Sequence, residues 1–115
     1  MKKKHSEMEV EKREKMRDGQ GVVTIRHLFR KEDFHANVRL CSRLTLPPGA
    51  SIGMHRHDNE DELFVFLKGS GLLDDGKEPV VVEAGDAVVT GNGASHALIN
   101  NGDEDLEAIA VIMTY

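Results

Sequence analysis

Turn-forming residues punctuate the chain about every ten positions from Val22 onward, and the runs between them are short and rich in β-branched side chains. Leu46-Pro47-Pro48-Gly49, Lys68-Gly69-Ser70-Gly71, Asp74-Asp75-Gly76, Glu83-Ala84-Gly85-Asp86 and Asn101-Gly102-Asp103 supply the Pro φ values and the Gly or Asn at positive φ that tight turns require. The predicted strands are Val22–Phe29, Arg39–Leu46, Glu62–Lys68, Pro79–Glu83, Ala87–Thr90, Ala97–Asn100 and Leu106–Thr114, with a shorter one over Met54–His57. Only Lys31-Glu32-Asp33-Phe34 predicts a helical turn between strands. Eight or so antiparallel strands in one small unit imply an all-β sandwich, jelly roll or barrel.

A chain of 115 residues is one domain by size, since domains usually run to about 100 to 150 residues. It buries roughly 65% of its unfolded surface, so no disulfide or metal is needed merely to fold. The single Cys41 cannot form an internal disulfide, which suits a reducing compartment. With 20 acidic against 15 basic residues and no stripe of Lys and Arg interleaved with aromatics, nucleic acid is not an expected partner. No apolar run approaches the ~20 residues of a membrane helix. The basic start Met1–His5 continues into Ser6-Glu7-Met8-Glu9-Val10-Glu11-Lys12 rather than an apolar stretch, so a cytoplasmic protein without membrane attachment is expected.

The first eighteen residues carry seven basic and five acidic side chains, a composition distinct from the acidic body. Glu11 with Lys15 and Glu9 with Arg13 are favourable i,i+4 pairs. The expected organisation is therefore a charged N-terminal arm or short exposed helix over residues 1–21, followed by a β domain over residues 22–115. At the other end, both alternating sets of Leu106–Thr114 are apolar after Glu107, which predicts a strand covered on both faces. One face is the core. The other is expected beneath the N-terminal segment or a second subunit, and a homodimer is the expected assembly.

Four side chains stand at spacings that suit a metal ion: His55 and His57, Glu62, and His96. A strand alternates faces with period two, so His55 and His57 point the same way. Glu62 shares the parity of Phe64 and Phe66, which sets a carboxylate beside inward aromatics where an unpaired charge is expensive. His96 shares the parity of Leu98 and Asn100 and can meet the others from across the fold. A metal ion satisfies all four. His5, His27 and His35 have no such companions and are read as ordinary hydrogen-bonding residues.

These residues carry a resemblance to the cupin family of small jelly-roll barrels. The first motif is Gly49, five residues, His55-Arg56-His57, four residues, Glu62, six residues, Gly69. The second is Gly85, five residues, Gly91, then Gly93, His96 and Asn100, with Gly91 where the family usually has Pro. With flanking strands the resemblance covers nearly all of residues 22–115. It implies a double-stranded β-helix, or jelly-roll barrel, with His55, His57, Glu62 and His96 as ligands of one divalent transition ion. Three imidazoles and a carboxylate suit Mn, Fe, Co, Ni or Zn. Phe64, Phe66 and Leu98 are expected as apolar lining beside it, and Asn100 as the fastening of a closing turn.

The resemblance spans dioxygenases, decarboxylases and isomerases, so the expected function is a metalloenzyme acting on a small, polar, metal-chelating molecule such as an organic acid, sugar or phenolic. No catalytic residue beyond the ligands stands out. Asp58, Glu60 and Asp61 offer acid or base groups but also suit a solvated loop. The alternative is a non-catalytic, metal-dependent protein that binds or senses the same kind of small molecule, and a third reading makes the metal structural. Arg39 and Arg43 are expected to face outward, opposite in parity to Leu40, Leu44 and Leu46.

Overall fold

The computed structural model describes all residues, 1–115. Ten strands form: β1 Glu9–Glu14, β2 Val22–His27, β3 Val38–Leu46, β4 Ser51–Arg56, β5 Glu60–Lys68, β6 Ser70–Asp74, β7 Val80–Glu83, β8 Ala87–Gly91, β9 Ser95–Ile99 and β10 Leu106–Thr114. They pair antiparallel in two sheets, one of six strands in the order β1-β2-β3-β10-β5-β8 and one of four in the order β4-β9-β6-β7. The two sheets face each other across one core, as in a jelly-roll barrel. No helix is long and apolar enough to cross a membrane.

Alternation builds the interior. Val23 and Ile25 on β2, Leu44 and Leu46 on β3, Phe64 and Phe66 on β5, and Leu106, Ala108 and Ala110 on β10 are buried against Ile52, Leu73, Val82 and Leu98 of the smaller sheet. Ala108 lies beside Phe66 and Ala110 beside Phe64 in the β10–β5 register. Small residues on one strand thus make room for the rings on the next, which is how a close-packed core avoids both voids and strain. Asn100 is buried and fastens the turn before β10: its Nδ2 donates to the carbonyls of Leu46 and Glu104, each at 2.8 Å, and its Oδ1 accepts from the Gly102 amide at 2.9 Å.

Of the two forms expected for the N-terminal segment, arm or short helix, it is not the helix: β1 pairs along its whole length with β2, and a short 3-10 turn over Met16–Asp18 follows. The i,i+4 pairs do not form; Glu11 meets Arg13 at 3.0 Å and Glu9 meets Arg30 at 2.7 Å. Mixed charge with scattered apolar residues suits a solvated edge strand as well as a solvated helix, and pairing with β2 satisfies the backbone. A second strand that sequence reasoning missed is β6, where Leu72 and Leu73 sit between turn signals too close together to reveal five paired residues. Gly91 is the last residue of β8, and a Cβ there would clash with the Asp61 side chain and backbone.

On β4 the register slips between Ile52 and His55. A bulge at that point carries both Ile52 and His55 to the interior despite their opposite parity. Gly53 lies within it, and a Cβ on Gly53 would stand only 1.9 Å from the Arg17 carbonyl oxygen. The N-terminal turn is thereby seated against the strand that carries His55. A Gly53→Ala substitution is expected to lower stability by about 1–3 kcal/mol through this backbone clash, read as a drop in thermal midpoint.

The outward face of β10 is not covered by the N-terminal segment, which lies at the edge of the sheet. Ile109 and Val111 sit half-buried beside Val65 and Leu63 of β5, with Val89 of β8 exposed next to them. A homodimer built on this face is expected to run at twice the chain mass in light scattering and to fall to monomer on Val111→Lys.

Candidate metal centre

Strands β4, β5 and β9 bring His55, His57, Glu62 and His96 together, with one donor atom from each lying within 4.8 Å of all the others. His55 and His96 are direct cross-strand neighbours on β4 and β9. His57 follows the end of β4, its amide donating to the Ala94 carbonyl at 2.9 Å. Glu62 reaches the cluster from the opposite sheet, between Thr90 of β8 and Ile112 of β10.

Each imidazole is held by its Nδ1, leaving Nε2 for the centre. His55 Nδ1–H donates to the Gly53 carbonyl at 2.7 Å, His57 Nδ1–H to Glu60 Oε2 at 2.5 Å, and His96 Nδ1–H to Thr90 Oγ1 at 3.0 Å. Outer partners of this kind fix the ring and its tautomer in metal sites. Glu60 is itself clamped by Arg39, whose Nε and Nη2 donate to its two oxygens at 3.0 and 2.9 Å. The Phe64 ring stacks on His96 with centroids 5.2 Å apart and planes 7° apart.

The residues fit a metal ion on two counts. First, Glu62 is 5% exposed, and its Oε1 is buried with no hydrogen-bond partner, an orphan that a cation would satisfy. Second, the donors have a telling separation. His57 Nε2 and His96 Nε2 are 3.0 Å apart, and Glu62 Oε1 lies 3.1 and 2.9 Å from them. Two donors about 2.1 Å from one ion stand about 3.0 Å apart at a right angle and about 3.4 Å apart at the tetrahedral angle. The observed spacing of these three donors is short enough for all of them to reach one ion.

Electrostatics agree with an ionised carboxylate among imidazoles. Burial pushes the Glu62 carboxyl up, but the adjoining His57 and His96 outweigh it and bring it to about 2. Contact with Glu62 raises His57 against the opposing effect of burial, with help from Glu60. Burial lowers His55, keeping its ring neutral and its lone pair available. The Arg39 guanidinium, assisted by His57 and opposed by burial, holds Glu60 below the usual carboxylate range.

A cavity of about 240 Å³ opens onto the cluster. Of the three residues expected at its wall, Phe64 and Leu98 border this cavity and Phe66 stands in the core away from it. Arg39 is exposed, as its parity predicts, and from the rim of the cavity it also positions Glu60; Arg43 meets Glu107 at 3.3 Å. Of the loop acids, Asp58 pairs with exposed Arg56 at 2.6 Å and Asp61 accepts from the Tyr115 hydroxyl at 3.1 Å, so only Glu60 serves the site. Residues missed altogether come from the N-terminal third: Glu11, Arg13, Arg17 and Arg30 line the cavity with His27. His27 is buried, its Nε2–H donating to Glu11 Oε1 at 2.7 Å while Nδ1 accepts from the buried Ser42 hydroxyl at 3.0 Å. The one signal for these residues was that His27 continues the inward parity of Val23 and Ile25.

Comparison with known proteins points the same way. The sequence model of the cupin domain family matches residues 42–112. An oxalate-binding protein of Thermotoga maritima is 43% identical over 108 residues, spanning 94% of this chain and 89% of the relative. A crystal structure from Thermotoga maritima, described as a predicted oxalate decarboxylase, superposes over 100% of both chains with a TM-score of 0.95 and 41% identity. A cupin 2 conserved barrel domain protein from Salinispora arenicola matches 79% of this chain and 75% of its own, with a TM-score of 0.69 and 26% identity.

Purified full-length protein is expected to carry one divalent transition ion per chain by elemental mass spectrometry, lost in His57→Ala. Glu60→Gln should keep the ion but weaken it about 10- to 100-fold in a chelator competition, the usual effect of removing a partner that orients a ligand.

Proposed function

The chain belongs to the cupin family, and on that premise we propose that it captures a small, metal-chelating dicarboxylate, oxalate foremost, at a divalent transition ion held by His55, His57, Glu62 and His96. The observation that carries this reading is the clustering of two imidazole nitrogens and the unpartnered Glu62 oxygen, 2.9 to 3.1 Å from one another, at the wall of the cavity. A divalent ion bound there supplies Lewis acidity and positions open to oxygen ligands.

The chain's own residues do the rest. Gly53, Glu60 and Thr90 hold the three rings with Nε2 inward. Ile52, Phe64 and Leu98 keep one wall apolar, which strengthens every charge interaction inside. The cavity is smaller than the ~300 Å³ at which drug-sized pockets begin, so it selects a ligand of few heavy atoms. Of the four arginines that line this cavity, Arg17 has no carboxylate partner, so the wall offers an anion one unmatched cation. The description of the Thermotoga maritima relative as oxalate-binding supports the same ligand class.

A catalytic reading, the decarboxylase or isomerase type of metalloenzyme, is favoured by one observation. Glu11 lines the cavity with His27 and Ser42 in series behind it, a carboxylate placed to take up or deliver a proton. Calorimetry separates the readings. Mn(II)-loaded protein is expected to bind oxalate, and chelator-treated protein to bind none; absence of binding by the loaded protein overturns the capture reading. Release of formate and carbon dioxide from oxalate, lost in Glu11→Gln with oxalate binding retained, would establish the catalytic one.

A further inference from the structure

Resting on the capture reading, we propose that Arg17 is the specificity-determining residue of the site: its guanidinium binds the carboxylate oxygens that a dicarboxylate turns away from the metal centre. Four arginines line the cavity, and three of them are matched. Arg13 meets Glu11 at 3.0 Å, Arg30 meets Glu9 at 2.7 Å, and Arg39 is clamped on Glu60. Arg17 alone has no carboxylate partner. It is the free positive charge of a cavity whose metal donors include an ionised carboxylate.

The backbone that presents Arg17 is unusual. Arg17 has φ 54° and ψ 39°, and Lys15 and Asp18 also lie at positive φ, 47° and 64°. Side chains with a Cβ pay a steric penalty in this region that glycine escapes, and it persists only where the surroundings enforce it. Here they do. The Lys15 amide donates to the Gly21 carbonyl at 2.9 Å, the Gly19 amide to the Met16 carbonyl at 2.9 Å, and the Ser51 amide to the Gln20 carbonyl at 2.9 Å. The Arg17 carbonyl lies against Gly53, whose own carbonyl accepts from His55 Nδ1. The Arg17 backbone is therefore seated on Gly53, the residue that orients one of the proposed ligands. A position where glycine is the easy choice carries a long, exposed cation at the rim of the cavity.

Ligand chemistry completes the inference. A guanidinium offers parallel N–H donors that match two carboxylate oxygens, a match that a point charge cannot reproduce. Oxalate presenting one oxygen of each carboxylate to the metal still has two oxygens facing away, whereas glycolate, with one carboxylate and one hydroxyl, has one. Arg17 thus favours the dicarboxylate over the hydroxy acid.

The test is calorimetric titration of Mn(II)-loaded, full-length protein with oxalate and with glycolate, alongside metal content and thermal midpoint. Arg17→Gln and Arg17→Gly remove the charge, the second while relieving the positive-φ penalty, so that a folding defect cannot pass for a binding defect. Both variants are expected to keep one metal per chain and to bind oxalate about 10- to 100-fold more weakly, as loss of a charge-assisted bidentate pair implies. Glycolate should shift by about twofold or less, and Arg17→Lys should recover only part of the oxalate affinity. Unchanged oxalate affinity, or equal weakening of both ligands, in variants that keep metal and fold overturns the role of Arg17. Failure of the loaded wild-type protein to bind either ligand overturns the capture reading itself, and this role with it, before any variant is compared.

Discussion

A carboxylate held ionised inside an apolar barrel is the constraint around which the rest of this structure is arranged. Glu62 lies on the inward face of β5 in line with Phe64 and Phe66, where an uncompensated ion costs several kcal/mol even after relaxation. Its neighbours answer that cost without closing it: two imidazole nitrogens approach Oε1, yet no N–H is directed at it. The unmet interaction is a place for a cation, and the strand order is what puts the donors around it. Were β4 and β9 not paired with His55 opposite His96, or β5 not faced by them, the charge would stand alone.

The hydrophobic core and the polar centre are parts of one packing arrangement. Ala110 leaves room for Phe64, Phe64 stacks on His96, and His96 is held in turn by Thr90. A change of volume on β10 would therefore be felt at the donor cluster, because a close-packed interior transmits strain. The clamp from Arg39 through Glu60 to His57 works from the opposite side and from a different strand. Each imidazole is thus fixed by an interaction whose failure would not release the other two.

The four donors were legible because they obey simple rules: period-two alternation for His55 and His57, shared parity with buried aromatics for Glu62, and spacing within two glycine-bracketed motifs. The strands Leu106–Thr114 and Glu62–Lys68 were legible for another reason, unbroken apolar runs of strand length next to turn residues. What was hidden depends on non-local contacts. A bulge between Ile52 and His55 reverses parity inside β4, and nothing in the local pattern of Ser51–Arg56 marks it except Gly53. Glu9, Glu11 and Arg13 suit helix and strand equally, so the choice falls to pairing with β2. Phe66 shares a face with Phe64 but stands one step farther along β5, off the cavity, a distance that parity does not measure.

The division along the chain also separates two kinds of chemistry. All four proposed donors lie within residues 42–112, the stretch that the cupin domain family shares. Glu11, Arg13, Arg17, His27 and Arg30, which give the cavity its charged wall, all precede it. The cluster that could hold a metal ion thus belongs to the shared barrel, while the charged part of the cavity wall comes from an edge strand and a strained turn seated on Gly53. An edge strand is a permissive place for such variation, since its substitutions leave the core untouched. The donor cluster and the charged wall sit on different stretches of the chain, so either can change in sequence without disturbing the other.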